Sequence, residues 1–296
     1  MYALIKRFGS LTKKLCLAYR GAFYTYKEKI NTPIKLDYKK GQLSVRLYPK
    51  GQIAKPLYTN QYEQSEINLV IDFLKPGMNV LDIGANIGLY SLIAEKIVSP
   101  SGTIWAFEPS TENFDRLKAN LTLNKVLKVN PVQLALADIE DEMIVLLRDR
   151  GFGDGERYLA LQQGPKYTRN TAVNDSGDIE RVRVTTLDSF LYKEIKTPKI
   201  DFIKIDIEGG ELRVFRGASR TLAENPDIMI FFECAPLCCQ RAGNTTEEVF
   251  QYLRTFGFEI YAMNKSSRKW ESNHELISTV GNLWACRHKE MLPVLY

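Results

Sequence analysis

Apolar and polar positions alternate with two different periods along this chain, and the change from one to the other predicts its elements. Apolar runs of roughly four to eight residues are typical of buried strands. Between them, apolar residues recur every three or four positions, as on one face of an α-helix. The predicted strands are 79–83, 103–107, 131–136, 143–147, 182–185, 200–206, 228–233, 258–263 and 281–287, and the predicted helices are 62–74, 89–97, 110–124, 186–194, 209–224 and 245–256.

Strands and helices alternate from residue 61 onward, which predicts an α/β fold with a mostly parallel sheet covered on both faces. The polar, glycine-rich segment 148–181 interrupts the alternation. Long inserts of this kind are usually functional loops. Before residue 61, only the stretch 42–48 alternates like a half-exposed strand. We therefore divide the chain into an N-terminal extension, 1–60, and a main domain, 61–296, that contains the insert 148–181.

The first 30 residues have the pattern of a basic amphipathic helix, which Gly9 and Gly21 weaken. They carry seven Lys or Arg and one Glu, so the net charge of +5 arises from this segment alone. Such a helix can lie on an anionic membrane surface or pack its apolar face on the main domain. At 100° per residue, the apolar face holds Leu4, Phe8, Leu11, Leu15, Ala18, Tyr19, Ala22 and Tyr26.

Composition narrows the class of protein further. No apolar run approaches the ~20 residues that a membrane-spanning helix needs, and basic residues interrupt the first 19 too often for a secretory signal. Five cysteines without disulfide-framework spacing favour a reducing, cytoplasmic compartment, with peripheral contact to the inner face of a membrane left open by residues 1–30. Balanced charge beyond residue 30 argues against a nucleic-acid partner.

One stretch, V-L-D-I-G-A-N-I-G-L-Y-S (80–91), has the pattern of a strand, a tight turn and a helix. Gly84 and Gly88 let the backbone approach a ligand closely. The dinucleotide fingerprint fails, because Asn86 stands at its second glycine. Asp82 would repel a pyrophosphate but can pair with an ammonium group. The turn therefore favours S-adenosylmethionine over a nicotinamide cofactor.

Acidic residues also follow other strands. Glu108 ends the next strand, where a carboxylate can accept hydrogen bonds from both hydroxyls of a ribose. Asp206 and Glu208 end the strand 200–206, and Glu233 ends the strand after it. Because the carboxyl ends of parallel strands share one sheet edge, these three acids could deprotonate a substrate, orient hydroxyls or hold a divalent cation.

Lys204 shares a strand face with Asp206, because residues two apart in a strand point the same way. A lysine in a central strand is costly unless it is paired. We expect it to form an ion pair with a nearby carboxylate, and tuning of that carboxylate is the functional alternative.

Several ordered segments together resemble the FkbM family of S-adenosylmethionine-dependent methyltransferases. The resemblance covers about residues 60–260 and implies a class I methyltransferase fold, Rossmann-like, whose seven-stranded sheet ends in an antiparallel hairpin, here 258–263 with 281–287. Most members are O-methyltransferases that act on sugars or natural products. The matching segments are V-L-D-I-G-A-N-I-G-L-Y-S (80–91), F-E-P-S-T-E-N-F-D-R-L-K-A-N (107–120), T-L-D-S-F (186–190), I-D-F-I-K-I-D-I-E-G-G-E (200–211) and I-F-F-E (230–233).

The resemblance also implies roles for individual residues. Glu108 would bind the ribose with Asn113 close by, Ala135 and Asp138 would border the adenine, and Glu63 is a weaker candidate for closing the site over the cofactor. Asp206 and Glu208 would face the transferred methyl group and the substrate. The methionine part of the cofactor would be lined by the turn residues Asp82, Gly84, Ala85, Asn86 and Gly88.

We expect Asp206 to act as the base or hydroxyl-orienting group, with Glu208 second and His274, between the last two strands, as an alternative base. The acceptor is predicted to be a sugar or glycan, free or lipid-linked, with a small natural product as the alternative. A divalent metal held by Asp206, Glu208 and Glu233 is a further expectation left open. The competing classes are a catalytically silent scaffold or membrane-docking protein and a nicotinamide-dependent oxidoreductase.

Overall fold

A computed structural model describes residues 2–39, 42–51, 53–140, 142–148, 157–160, 179–196, 199–272 and 281–295. The side chains of residues 2–14, 16, 142–148, 157–160 and 179 lie outside this description. His274 and most of the insert 148–181 also lie outside it. Within the described residues, no helix is both long and apolar enough to cross a membrane.

The central sheet has eight strands and confirms the predicted α/β architecture. Five parallel strands form its core: β3 (Asn79–Ile83), β4 (Thr103–Phe107), β5 (Val129–Val132), β10 (Phe202–Ile205) and β11 (Met229–Glu233). The other three are antiparallel: β12 (Glu259–Asn264), β13 (Lys269–Glu271) and β14 (Asn282–Cys286). Their order is β13-β12-β14-β11-β10-β3-β4-β5. The predicted seven strands and terminal antiparallel pair are present, and the short edge strand β13 is an addition.

Helices cover this sheet close to the predicted positions. They are α3 (Gln64–Phe73), α4 (Leu89–Val98), α5 (Thr111–Leu123), α6 (Leu187–Ser189), a π-helical turn (Phe190–Glu194), α7 (Glu211–Arg216), α8 (Ser219–Glu224), α9 (Pro236–Arg241), α10 (Thr246–Thr255) and a final 3₁₀ turn (Lys289–Met291). The single helix predicted over 209–224 is wrong, because the chain breaks at Gly217 between α7 and α8. A Cβ on Gly217 would lie 2.1 Å from the Ala137 carbonyl oxygen, so the backbones meet too closely for a side chain.

A second, four-stranded sheet lies beside the first. It consists of β6 (Ala135–Leu136), β7 (Glu142–Arg148), β8 (Arg157–Ala160) and β9 (Ile179–Thr185), in the order β6-β9-β7-β8. The hydrophobic pattern assigns the β7 and β9 stretches to the main parallel sheet, which is wrong, because β7 pairs antiparallel with both β8 and β9. The part of the insert that the structure describes therefore contains a strand rather than only loop.

The N-terminal extension packs into the same apolar core as the main domain. It comprises α1 (Tyr2–Lys29), the antiparallel hairpin of β1 (Ile34–Tyr38) and β2 (Leu43–Leu47), and α2 (Ala54–Tyr58). Alternate hairpin side chains are buried with those of α3 and α4. Asn120 of α5 accepts a hydrogen bond from the Arg46 N–H at 2.7 Å. This attachment brings α2 and the segment after it to the carboxyl edge of the sheet.

Candidate active site

A cavity of about 410 Å³ opens at the carboxyl ends of β3, β4, β10 and β11. The order of the strands reverses between β3 and β10, since β4 lies on one side of β3 and β10 on the other. Ligands of open α/β sheets bind at such reversal points. The volume is within the range of small-molecule sites, ~300–1,000 Å³.

The turn after β3 forms one wall of the cavity. Its backbone is left-handed at Gly84, with φ of 78°, and at Asn86, with φ of 50°. A Cβ on Gly84 would lie 2.0 Å from the Asp206 carbonyl oxygen, so only glycine lets the turn lie against the end of β10. The N–H groups of Gly84 and Ala85 both donate to the Phe107 carbonyl at the end of β4, at 3.0 and 2.8 Å. The predicted residues Gly84, Ala85 and Asn86 all line the cavity.

Gly88 does not line the cavity among the described residues, and its implied contact with the cofactor stays a prediction. A Cβ at this position, whose φ is 87°, would lie 2.4 Å from the Leu117 Cδ1 atom. Gly88 therefore allows the start of α4 to pack against α5, and its effect on the turn is indirect.

Glu108 is a buried carboxylate at the cavity wall, 6% exposed. Its Oε2 accepts the Asn86 N–H at 2.9 Å, and its Oε1 accepts the Ser110 N–H at 3.0 Å. Since each carboxylate oxygen can accept more than one hydrogen bond, Glu108 is oriented by the backbone and can still accept two hydroxyls. Asn113 lies on the same wall, beside an apolar slot formed by Ile83, Phe107, Leu134, Ala135 and Leu136.

Asp138 does not line the cavity among the described residues, and its implied place beside the adenine stays a prediction. Its Oδ1 accepts a hydrogen bond from Arg213 Nε at 2.7 Å, which joins the end of β6 to α7. The resemblance placed Asp138 correctly after the third strand of the fold, but the partner that turns its side chain away is 75 residues further along the chain.

Asp82 and Lys204 form a buried ion pair behind the cavity, which confirms the predicted pairing of Lys204. The two residues face each other in the parallel register of β3 and β10. Lys204 Nζ lies 3.8 Å from Asp82 Oδ1 and 3.4 Å from Asp206 Oδ2, and it donates to the Gly84 carbonyl at 3.3 Å. Ser91 Oγ donates to the other oxygen of Asp82 at 2.6 Å.

The same geometry gives Asp82 a supporting role behind the cavity, while its implied contact with the cofactor stays a prediction. Among the described residues that line the cavity, Lys204 is present and Asp82 is not. Burial would lower the pKa of Lys204, but the charges of Asp206 and Asp82 raise it above the ordinary value. Burial raises the pKa of Asp82, against the opposing effects of Lys204 and Ser91. Asp82 therefore acts on the site by holding a charged Lys204.

Three acids meet at the cavity, as the sequence predicts. One carboxylate oxygen from each of Asp206, Glu208 and Glu233 lies within 4.8 Å of the other two. Burial and then the adjacent Asp206 carboxylate raise the pKa of Glu233 far above its usual range. Two carboxylates this close favour a shared proton, and the same oxygens are of the type that binds a divalent cation. Glu208 lies 3.5 Å from Arg241 in a further ion pair.

The segment before α3 supplies a further part of the cavity wall. Little in the sequence indicates this contribution. Glu63 lines the cavity, where its carboxylate accepts hydrogen bonds from Tyr90 Oη at 2.7 Å and Asn282 Nδ2 at 3.1 Å. Tyr62 lies beside it on the cavity wall. Tyr62 and Tyr90 are close in sequence to residues of the predicted site. No local sequence pattern, however, indicates that a residue before the first strand of the main sheet would reach the carboxyl edge of that sheet.

Glu211, in the first turn of α7, predicts a pH-dependent stability. It is 1% exposed, its Oε1 accepts the N–H groups of Ile207 and Gly209, and its Oε2 accepts no hydrogen bond from the described residues. Burial raises its pKa to about 7. Glu211 therefore ionises more easily in the unfolded chain than in the folded one. Because of this difference, the free energy of unfolding falls by roughly 3 kcal/mol as the pH rises from about 4.5 to above 7.

Glu211→Gln should remove this loss. Urea unfolding is expected to show similar stabilities for the wild type and the variant near pH 4.5, and a more stable variant at pH 8. The exposed substitution Glu259→Gln serves as the control and should leave the pH profile unchanged. A Glu211→Gln profile parallel to that of the wild type would show that Glu211 is not buried as a neutral acid.

The strand order and this site define a class of protein. A parallel sheet closed by an antiparallel pair, with a glycine turn after its first strand and an acid after its second, is the arrangement of class I methyltransferases. Residues 82–260 match the family model described as the methyltransferase FkbM domain. The chain therefore belongs to the FkbM methyltransferase family, whose cofactor is S-adenosylmethionine, as the sequence predicts.

Individual proteins with similar sequences support this assignment. The chain is 24% identical over 160 residues to the hexuronic acid methyltransferase AglP of Haloferax volcanii, across 54% of this chain and 58% of that protein. It is 43% identical over 53 residues to the 31-O-demethyl-FK506 methyltransferase FkbM of Streptomyces tacrolimicus, across 18% and 20% of the two chains. The chain thus spans a little more than half the length of AglP.

A solved structure described as methyltransferase FkbM from Methylobacillus flagellatus KT aligns with 78% of this chain and 54% of its own. Its TM-score is 0.43 and its sequence identity is 15%.

The residues at the cavity fit S-adenosylmethionine. Glu108 presents a carboxylate suited to two ribose hydroxyls, and the apolar lining residues suit the face of an adenine. Gly84 holds the turn where a Cβ would collide with β10, so the backbone itself forms the floor of the site. The acidic side of the cavity suits the positive charge of the sulfonium and ammonium groups.

Proposed function

We propose that the chain transfers a methyl group from S-adenosylmethionine to a hydroxyl oxygen of a neutral sugar or glycan. The observation that carries this proposal is the cluster of Asp206, Glu208 and Glu233 at the carboxyl edge of the sheet, beside the wall that fits the cofactor. The bound sulfonium supplies an activated methyl group, so the protein's contribution is to align the acceptor and to take up its proton.

Asp206 is the group that we assign to the acceptor's proton. It lies on the cavity wall at the end of β10, and Lys204 holds its Oδ2 from behind at 3.4 Å. A sugar hydroxyl is a poor nucleophile at neutral pH, so a carboxylate that accepts its hydrogen bond strengthens it. Glu208 and Glu233 can accept hydrogen bonds from neighbouring hydroxyls of the same ring, and whichever of them is protonated can also donate one.

The charge of the cavity supports a neutral acceptor. Glu63, Glu208 and Glu233 line it together with Asp206, while Lys204 is engaged by Asp82, Asp206 and a backbone carbonyl. Glu233 is largely protonated at neutral pH, and Glu208 is paired with Arg241. An acceptor carboxylate or phosphate would therefore be repelled at short range mainly by Asp206. Hydroxyl groups, by contrast, donate hydrogen bonds to carboxylates. The relative that is named a hexuronic acid methyltransferase supports a sugar, and the acids favour a sugar without its own charge.

A hydroxyl on a small natural product is the second candidate. Ile53, Pro56 and Tyr62 give the outer wall of the cavity an apolar character that suits such a molecule. The relative named a 31-O-demethyl-FK506 methyltransferase supports this alternative. Linkage of a sugar acceptor to a lipid is a further variant that the same experiment covers.

Mass spectrometry of methyl incorporation tests the proposal. The protein is incubated with deuterated S-adenosylmethionine and four sets of acceptors: glycans and sugar nucleotides whose sugar ring is uncharged, uronic acids, lipid-linked sugars and hydroxylated macrocycles. We expect a labelled methyl ether on a neutral sugar, and the Asp206→Asn control should form it at least about a hundredfold more slowly. Label on a uronate or a macrocycle would replace the neutral-sugar assignment, and label on nitrogen would overturn hydroxyl methylation.

A further inference from the structure

Helix α1 packs on the domain through a face other than the apolar one predicted from the sequence. Tyr24 is 1% exposed and donates a hydrogen bond to the Pro49 carbonyl. Phe23 stacks on Tyr58 with ring centroids 6.0 Å apart, and Arg20 donates to the Tyr58 carbonyl at 3.2 Å. The expectation that the apolar face packs inward is therefore wrong for the side chains that the structure describes.

The apolar face itself is exposed. Leu15, Tyr19 and Tyr26 are 63%, 70% and 58% exposed. Spacings of four and seven residues place them on one face of the helix, on average about 160° away from the packed Tyr24 at ~100° per residue. We call these three residues the apolar stripe.

The apolar stripe belongs to an unusual concentration of exposed apolar side chains. Eight large hydrophobic residues are exposed in the part of the chain whose side chains are described, and five of them lie between residues 15 and 30. Single exposed apolar residues are normal on a protein surface, but a contiguous row marks an interaction surface.

Charge indicates what covers the apolar stripe. Residues 1–30 carry seven Lys or Arg and one Glu, and α1 ends on Lys27 and Lys29. A second copy of the chain would bring two such positive segments together, which opposes pairing. An anionic lipid surface attracts the net positive charge of this segment, with Lys29 the basic residue nearest to the apolar stripe around the helix, while the stripe enters the headgroup region. Tyrosine is well suited to that boundary.

We propose that α1 docks the protein on anionic lipid membranes through Leu15, Tyr19 and Tyr26, with the catalytic domain held on the opposite side of the helix. This inference is independent of the acceptor proposed above. It brings the catalytic domain to a lipid surface without any membrane-spanning segment in the described residues.

Vesicle co-sedimentation tests the docking. The full chain is mixed with vesicles of phosphatidylcholine alone or with added phosphatidylglycerol, at low and high salt. We expect binding only to the anionic vesicles and less of it at high salt. The variant Leu15→Gln, Tyr19→Gln and Tyr26→Gln should bind at least about tenfold more weakly, because it loses the apolar part of the contact and keeps every charge.

The matched control replaces the other three exposed apolar residues, as Leu127→Gln, Leu237→Gln and Val294→Gln, and should bind like the wild type. Circular dichroism melting checks that both triple variants are folded. Equal binding by the apolar-stripe variant and the wild type would overturn the proposal. So would the absence of binding by the wild type, or a dimer in light scattering that the apolar-stripe variant alone disrupts.

Discussion

Asp206→Asn is expected to lower the rate of methyl transfer by about 10²- to 10⁴-fold, the usual contribution of a positioned acid or base. Asparagine keeps the shape of the side chain but cannot take up the proton of a hydroxyl. Affinity for S-adenosylhomocysteine should be unchanged, because the walls that fit the cofactor are formed by the Gly84 turn and Glu108. Single-turnover transfer and calorimetry on the same preparation separate the two effects.

The control for this prediction is Asp115→Asn, which changes an exposed aspartate on α5 that forms an ion pair with Lys118. Glu208→Gln should lie between the two in rate, since Glu208 lines the cavity but is also held by Arg241. If Asp206→Asn transferred methyl groups at the wild-type rate, another group would have to be the base. His274 would then be the next candidate to substitute.

Asp82→Ala should destabilise the fold by about 3–5 kcal/mol, because it leaves the buried Lys204 without its closest fully buried counter-charge. Lys204 is 5% exposed, and it also holds the Gly84 carbonyl and Asp206. Affinity for the cofactor should fall as well, since the turn loses its support. Urea unfolding and calorimetry measure the two losses.

A double-mutant cycle distinguishes the ion pair from simple loss of packing. The double variant Asp82→Ala with Lys204→Met should lose less stability than the sum of the two single variants. Each single change leaves the other residue of the pair as an unpaired buried charge, whereas the double change removes both charges. The exposed substitution Asp115→Ala gives the reference for a surface pair, which contributes at most about 1 kcal/mol. Strict additivity of Asp82→Ala and Lys204→Met would contradict the coupling described here.

The acidic edge of the site could be predicted from the sequence because it follows from strand polarity. Asp206 and Glu233 lie at the carboxyl ends of two neighbouring parallel strands. Such ends lie side by side at one edge of the sheet, whatever the conformation of the loops that follow them. Glu108 follows by the same reasoning. Strand polarity alone therefore predicts that the carboxylates of Asp206, Glu208 and Glu233 lie together, as they do.

Local motifs are less informative where a residue's surroundings depend on a partner far along the chain. Asp138 pairs with Arg213, and Gly88 accommodates Leu117, neither of which a local motif reveals. The stretches that form β7 and β9 have apolar runs suited to a buried strand, but such runs do not indicate which sheet a strand joins.

The face on which α1 packs could not be predicted from the sequence for a related reason. Hydrophobic periodicity assumes that the apolar face is the buried one. Here Tyr24, Phe23 and Arg20 provide the contact through ring stacking and hydrogen bonds, so the packed face is aromatic and basic. The apolar face is left exposed, which is the basis of the docking proposal.

Calorimetric titration of S-adenosylhomocysteine into the wild type and Glu108→Gln tests the central claim most directly. That claim is that the cofactor lies between the Gly84 turn and Glu108. We predict that the wild type binds and that Glu108→Gln binds at least about tenfold more weakly, since one carboxylate acceptor becomes a donor. Asp206→Asn should bind like the wild type. Equal affinity in Glu108→Gln, or no binding by the wild type while NAD binds, would contradict the account.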